Sequence, residues 1–142
     1  MLVRSERLGD LAVDDDKVLT FPEGLVGFPA DTRFVMIEIA DDEAYRWLQS
    51  VDDPALSFLT VIPWHFFPDY EPEIDALTQQ ELGLKVVTDA IVLCIVTIRE
   101  DTPVPVTANL LGPLVVNTVS RVGRQIVLAD SGYPARAGLV GA

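Results

Sequence analysis

The sequence predicts a mainly β domain of short antiparallel strands with one or two short helices. Three observations carry this. Short apolar runs recur along the chain, each ended by proline, glycine or an acidic cluster. One of them, Ala90 to Ile98, is apolar at odd and even positions alike, as a central strand covered on both faces requires. The elements also do not alternate strand and helix as a parallel βαβ sheet would. Such spacing fits a barrel or a sandwich, and periodicity does not separate the two. At 142 residues the chain forms one domain, large enough to bury roughly 68–70% of its unfolded surface. Its expected extent is residues 1–134, with 135–142 a flexible, small-residue tail.

Leu11-Ala12-Val13 and Lys17 to Phe21 read as short strands around the turn Asp14-Asp15-Asp16. Three adjacent aspartates lack the alternate spacing of a calcium loop, so a solvated turn is expected. Phe21-Pro22-Glu23-Gly24-Leu25-Val26-Gly27-Phe28-Pro29 is an ordered loop that tucks Leu25 and Phe28 against the body. Its Gly-x-x-Gly has no basic flank and is no nucleic-acid clamp. Val35, Ile37 and Ile39 share one face of a strand. Asp41-Asp42-Glu43 then precede Ala44, Trp47, Leu48 and Val51, a stripe that predicts a helix ending at Pro54, with Trp47 and Leu48 in the core.

Leu56 to Ile62 is the next strand, stopped by Pro63. The stretch Ile62 to Asp75 holds four of the eleven aromatics, three of the ten prolines and the single histidine. No ladder runs through three prolines, so it either plugs the core or meets a partner. Phe66 and Phe67 point opposite ways in a locally extended loop, one inward and one outward. Pro72, Glu73 and Asp75 suit the start of a helix carrying Ile74, Leu77 and Leu84, with Gly83 as its exit. After the central strand, Thr102-Pro103-Val104-Pro105 is edge or loop. Thr107 to Pro113 starts as a strand and turns. Leu114 to Arg121 and Gln125 to Leu128 form a hairpin around Val122-Gly123-Arg124.

The net charge of −12 is concentrated: residues 41–81 hold ten acids against one base, Arg46. An acidic surface repels phosphate backbones, which argues against direct nucleic-acid binding. The single cysteine, Cys94, excludes an intramolecular disulfide and fits a reducing compartment. The first residues lack a signal-peptide core and no apolar run reaches spanning length, so the expectation is a cytoplasmic protein off the membrane. Neither His/Cys metal spacing nor a phosphate loop is present, and neither metal nor cofactor is expected. The best enzymatic set, His65 with Asp69 and Tyr70, has weak spacing for acid–base work. Binding is the expected activity.

Five collinear motifs support that reading. Phe21 to Phe28, Leu48-Gln49-Ser50 with Leu56-Ser57-Phe58, Pro63 with Phe67-Pro68-Asp69-Tyr70, Ala108 to Asn117, and Gly123 to Leu128 together resemble the FliW flagellar assembly factors over roughly residues 17–134. Val26 stands where the resembled loop usually has proline, and Gly112 where it usually has alanine. The resemblance implies a small non-enzymatic, β-barrel-like protein. It also implies two partners, flagellin and the RNA-binding translational repressor CsrA, exchanged so that free FliW-type protein lifts repression of flagellin synthesis. A dedicated flagellin chaperone without the CsrA arm is the alternative. A monomer is expected. The candidate partner-binding residues are Glu23 and Leu25 on the glycine loop, Phe66, Phe67, Asp69, Tyr70, Glu71 and Glu73 on the aromatic stretch, and Asn109 and Asn117. Asp41, Asp42, Asp52, Asp53 and Asp75 extend the acidic surface.

Overall fold

The computed structural model of the chain describes residues 1–85 and 89–139. Leu2–Val3 (β1) and Leu11–Ala12 (β2) form a small two-stranded ribbon. The remaining strands make one antiparallel, nine-stranded sheet. In chain order they are Val18–Thr20 (β3), Arg33–Glu38 (β4), Tyr45–Ser50 (β5), Ser57–Val61 (β6), Ala90–Ile98 (β7), Val106–Ala108 (β8), Leu114–Asn117 (β9), Gly123–Gln125 (β10) and Ala137–Gly138 (β11). The main order is β10-β9-β7-β6-β5-β4-β3, with β8 branching from β7 and β11 from β8. The two edges of this path meet at a parallel bridge, Thr20 to Val122, where the Thr20 N–H donates to the Arg121 carbonyl at 2.9 Å. The sheet is therefore barrel-like without a closing ladder. Gly123 permits the approach, because a Cβ there would stand 2.6 Å from the Phe21 ring.

β7 is the hub, paired with β6, β8 and β9. Ile91, Leu93 and Ile95 pack into a core with Phe21, Phe34, Leu48 and Leu114. Each fully buried large side chain there contributes roughly 1.5–3 kcal/mol. The alternate β7 residues Val92, Cys94 and Val96 face the other way, and the connections after β6, β8 and β10 cover them with Tyr70, Leu82, Leu110 and Leu128. The uniformly apolar pattern of Ala90 to Ile98 thus reports a strand covered on both faces.

The predicted helix after Asp41 is strand β5. The acids cap a hairpin turn instead: Asp41 takes a positive φ of 62°, and the Asp42 carboxylate accepts the Ala44 and Tyr45 N–H groups at 2.8 and 3.2 Å. Pairing on both sides, to β4 and β6, then holds β5 extended. Leu48 is core, while Trp47 is half-buried with the Arg7 guanidinium 5.0 Å over its ring. The hairpin after β9 turns earlier than expected, at residues 118–120. Asp75 caps α1, Ala76–Glu81, the one α-helix among the described residues, by accepting the Thr78 N–H at 2.7 Å, so Pro72 and Glu73 precede the helix. Leu77 on α1 is exposed. The tail is not loose over its first part: Ala137–Gly138 pairs with β8 and Leu139 is buried. Residues 140–142 lie outside the described residues.

Candidate functional site

The chain leaves β6 at Ile62 and does not rejoin the sheet until β7. Pro63 opens a single 3-10 turn, and its carbonyl accepts the Phe66 and Phe67 N–H groups at 3.0 and 2.8 Å. The Phe67 carbonyl accepts the Tyr70 N–H at 3.0 Å, so the segment coils tightly. Coiling removes the alternation that would have sent the two phenylalanines apart. Both are half-buried on the same core cluster, and Phe66 meets Tyr45 edge-on at 5.8 Å. Trp64 is 40% exposed, with its indole N–H donating to the Tyr70 carbonyl at 2.8 Å.

Tyr70, the expected partner anchor, points inward. It is 3% exposed, and its hydroxyl donates to the Leu110 carbonyl at 2.7 Å. Burial pushes the phenol far above the usual tyrosine range, and the neighbouring Cys94 adds to the shift. Burial likewise pushes the Cys94 thiol up to about 12. Tyr133 meets the Tyr70 ring edge-on at 4.7 Å, and its hydroxyl accepts the Glu71 N–H at 3.0 Å. Tyr133 was not singled out in the sequence; its one signal is an isolated aromatic between Gly132 and Pro134.

Tyr70 forms a wall shared by two cavities. One, of about 500 Å³, is lined by Trp64, Tyr70, Pro72, Ile74, Leu84 and Val92, with Glu71, Gln79 and Lys85 supplying polar groups. The other, of about 350 Å³, lies among Phe66, Phe67, Pro68, Asp69, Leu110 and Tyr133. Asp69, Glu71 and Glu73 are exposed beside them. The structure therefore brings Phe66, Phe67, Asp69, Tyr70 and Glu71 to one place.

Four other sequence candidates make contacts within the fold. Leu25 is 3% exposed in the core, whereas Glu23 is exposed and pairs with Arg124 Nε at 3.2 Å. Arg124 also holds Glu81 of α1. Asn109 Oδ1 accepts the Gly112 N–H at 2.9 Å. Asn117 is buried, with Nδ2 donating to the Leu82 carbonyl at 2.8 Å and Oδ1 accepting from Val119 and Ser120. These asparagines bond backbone, as polar groups on apolar strands usually do. His65 and Asp69 are exposed, and no hydrogen bond joins them among the described residues. Among those residues, no group of three or more His, Cys, Asp or Glu side chains is placed to hold a metal. No helix among them is long and apolar enough to cross a membrane.

A second acidic site lies at the β4–β5 turn. There Glu38, Asp41, Asp42, Glu43, Arg46 and His65 surround an open hollow. Arg46 Nη1 is spent locally, donating to the carbonyls of Asp42, Glu43 and Tyr45. Asp52 is paired with Arg33, whose guanidinium holds the carboxyl below the usual carboxylate range.

Comparison with known proteins agrees with this architecture. The family model described as "FliW protein" matches residues 2–139. The flagellar assembly factor FliW of Moorella thermoacetica is 37% identical over 136 residues, spanning 96% of this chain and 86% of that protein. Its counterpart from Bdellovibrio bacteriovorus is 38% identical over 136 residues, covering 96% of this chain and 77% of that one. A crystal structure of the flagellar assembly factor FliW superposes with a TM-score of 0.87 at 30% identity, covering 97% of this chain and 96% of the other. The chain belongs to the FliW family.

Proposed function

We propose that this protein is a non-enzymatic flagellar assembly factor that acts in the cytoplasm as a monomer. It binds newly made flagellin, binds the translational regulator CsrA, and relieves CsrA repression of flagellin synthesis when flagellin does not occupy it. The observation that carries this reading, beyond family membership, is the pairing of apolar clefts with exposed acids on the Ile62-to-Asp75 segment. An amphipathic flagellin terminus, unpaired before assembly, needs an apolar groove. The cleft of about 500 Å³ between Trp64, Ile74 and Leu84 supports that role. An RNA-binding repressor carries a basic surface, to which Asp69, Glu71 and Glu73 are complementary, and once docked these acids would repel RNA phosphates without sharing a contact with them.

The test is binding of purified flagellin and CsrA, separately and together, by size exclusion and calorimetry. Reversing Asp69, Glu71 and Glu73 to lysine is expected to weaken CsrA binding by roughly tenfold or more, at about two- to fivefold for each surface charge pair. The parent's affinity should also fall steeply with salt. A CsrA affinity indifferent to both changes would overturn the charge argument. Flagellin binding without any CsrA binding would leave the dedicated-chaperone reading instead.

A further inference from the structure

The smaller cavity beside Tyr70 has a more specific chemistry than an apolar groove or a diffuse acidic surface. Its walls are aromatic, with Phe66, Phe67 and Tyr133 converging on it, and Asp69 alone among its lining residues is charged. At about 350 Å³ it lies at the small end of ligand cavities, of side-chain rather than helix dimensions. Its walls are also fixed. Tyr70 is held by the Leu110 carbonyl and Tyr133 by the Glu71 N–H, and the backbone that carries Phe66 and Phe67 is held by the Pro63 carbonyl. Asp69 has no such commitment, since it accepts no hydrogen bond and pairs with no cation among the described residues. A carboxylate held free beside aromatic faces is a receptor for a cation, because the ring quadrupole and the carboxylate both attract positive charge.

We infer that this cavity is a subsite for one arginine side chain carried by a basic segment of a partner protein. A planar guanidinium stacks on aromatic faces and forks onto a carboxylate, whereas an ammonium is a compact, strongly hydrated charge that gains less from both. The net charge of −12 draws in a basic segment. The arginine comes within a chain: no lining residue is basic, so nothing there would receive the α-carboxylate of free arginine. This subsite goes beyond the two-partner reading and does not rest on it.

The test is an NMR titration of the full-length protein, watching the ring signals of Phe66, Phe67 and Tyr133, with N-acetyl-arginine amide as the probe. Saturable shifts are expected. They should weaken by about three- to fivefold with the neutral N-acetyl-citrulline amide, and by a similar factor in Asp69→Asn. Asp69 is exposed, so that variant should keep the parent's amide spectrum. The citrulline comparison uses the parent protein and needs no variant. Absence of saturable shifts overturns the assignment, as does equal binding of the citrulline or lysine amide, or tighter binding of free arginine. None of these readings involves flagellin or CsrA, so failure here is distinct from failure of the proposed function.

Discussion

Replacing Val26 with proline tests how the glycine loop is fastened to the sheet. Leu25 to Phe28 is a tight turn: the Phe28 N–H donates to the Leu25 carbonyl at 2.7 Å, and Gly27 has a φ of 85°. Positive φ at the third position only is the type II pattern, which favours proline at the second, here Val26. By itself the substitution should stabilise by about 0.4–1 kcal/mol through the unfolded chain. Val26, however, uses the N–H that proline lacks. It donates to Gln125 Oε1 at 2.8 Å, and Gln125 Nε2 donates on to the Gly112 carbonyl at 2.9 Å. Losing that bond costs about 0.5–1.5 kcal/mol, so Val26→Pro in the parent should come out near neutral. In a Gln125→Ala background the bond is already gone, and the same substitution should stabilise. Urea melts of the four proteins should therefore give a coupling of about 0.5–1.5 kcal/mol. An effect of Val26→Pro equal in both backgrounds, within about 0.3 kcal/mol, would refute the reasoning. Positions 26 and 112 meet at this one side chain. A Cβ on Gly112 would stand 3.1 Å from Gln125 Nε2, so glycine gives the glutamine its room.

Asn117→Ala removes the buried amide that ties the β9 turn to the end of α1 and leaves the Leu82 carbonyl without that donor. It should lower stability by about 2–4 kcal/mol, or roughly 6–12 °C in Tm, read by calorimetry. A loss below about 1 kcal/mol would count against a structural role. Stability should also decline in alkali. Cys94 titrates near 9.0 when unperturbed and at about 12 in the fold, so its contribution is complete below pH 9 and is lost as pH rises towards 12. Tyr70 shifts in the same direction and adds to the decline. Urea melts from pH 8 to 11 should show a shallower slope for Cys94→Ala than for the parent, and parallel slopes would contradict this account.

Strand β7 was legible because its pattern is local. Nine successive apolar or small residues, Ala90 to Ile98, announce burial on both faces. Strand β5 was not, because Ala44, Trp47, Leu48 and Val51 mimic a helical stripe. What makes it a strand is non-local pairing, such as Trp47 opposite Ile37 on one side and Leu59 on the other. Its polar contacts are also made in ways that periodicity does not encode. Thr60 of β6 donates to the Arg46 carbonyl at 2.8 Å, and Gln49 Nε2 donates to Ser50 and Asp53 carbonyls at 3.0 and 3.2 Å. The pairing at Ala137–Gly138 is hidden for a similar reason, since its partner β8 lies far back in the chain.

The aromatic stretch divides along the same line. Its composition marked the place, and its acids were expected outside, where Asp69, Glu71 and Glu73 lie. The direction of Tyr70 was hidden, because the carbonyl that receives its hydroxyl is 40 residues away and the hydroxyl that receives the Glu71 N–H is 62 residues away. A tyrosine on a proline-broken acidic loop looks like an interface anchor until those partners are known. Once they are, Tyr70 becomes the rigid partition between two clefts. Substituting it would disturb both clefts and the fold together, whereas substituting Asp69 changes the charge at one cleft alone. The exposed carboxylates, rather than the conspicuous aromatic, are therefore the residues by which partner binding can be separated from stability.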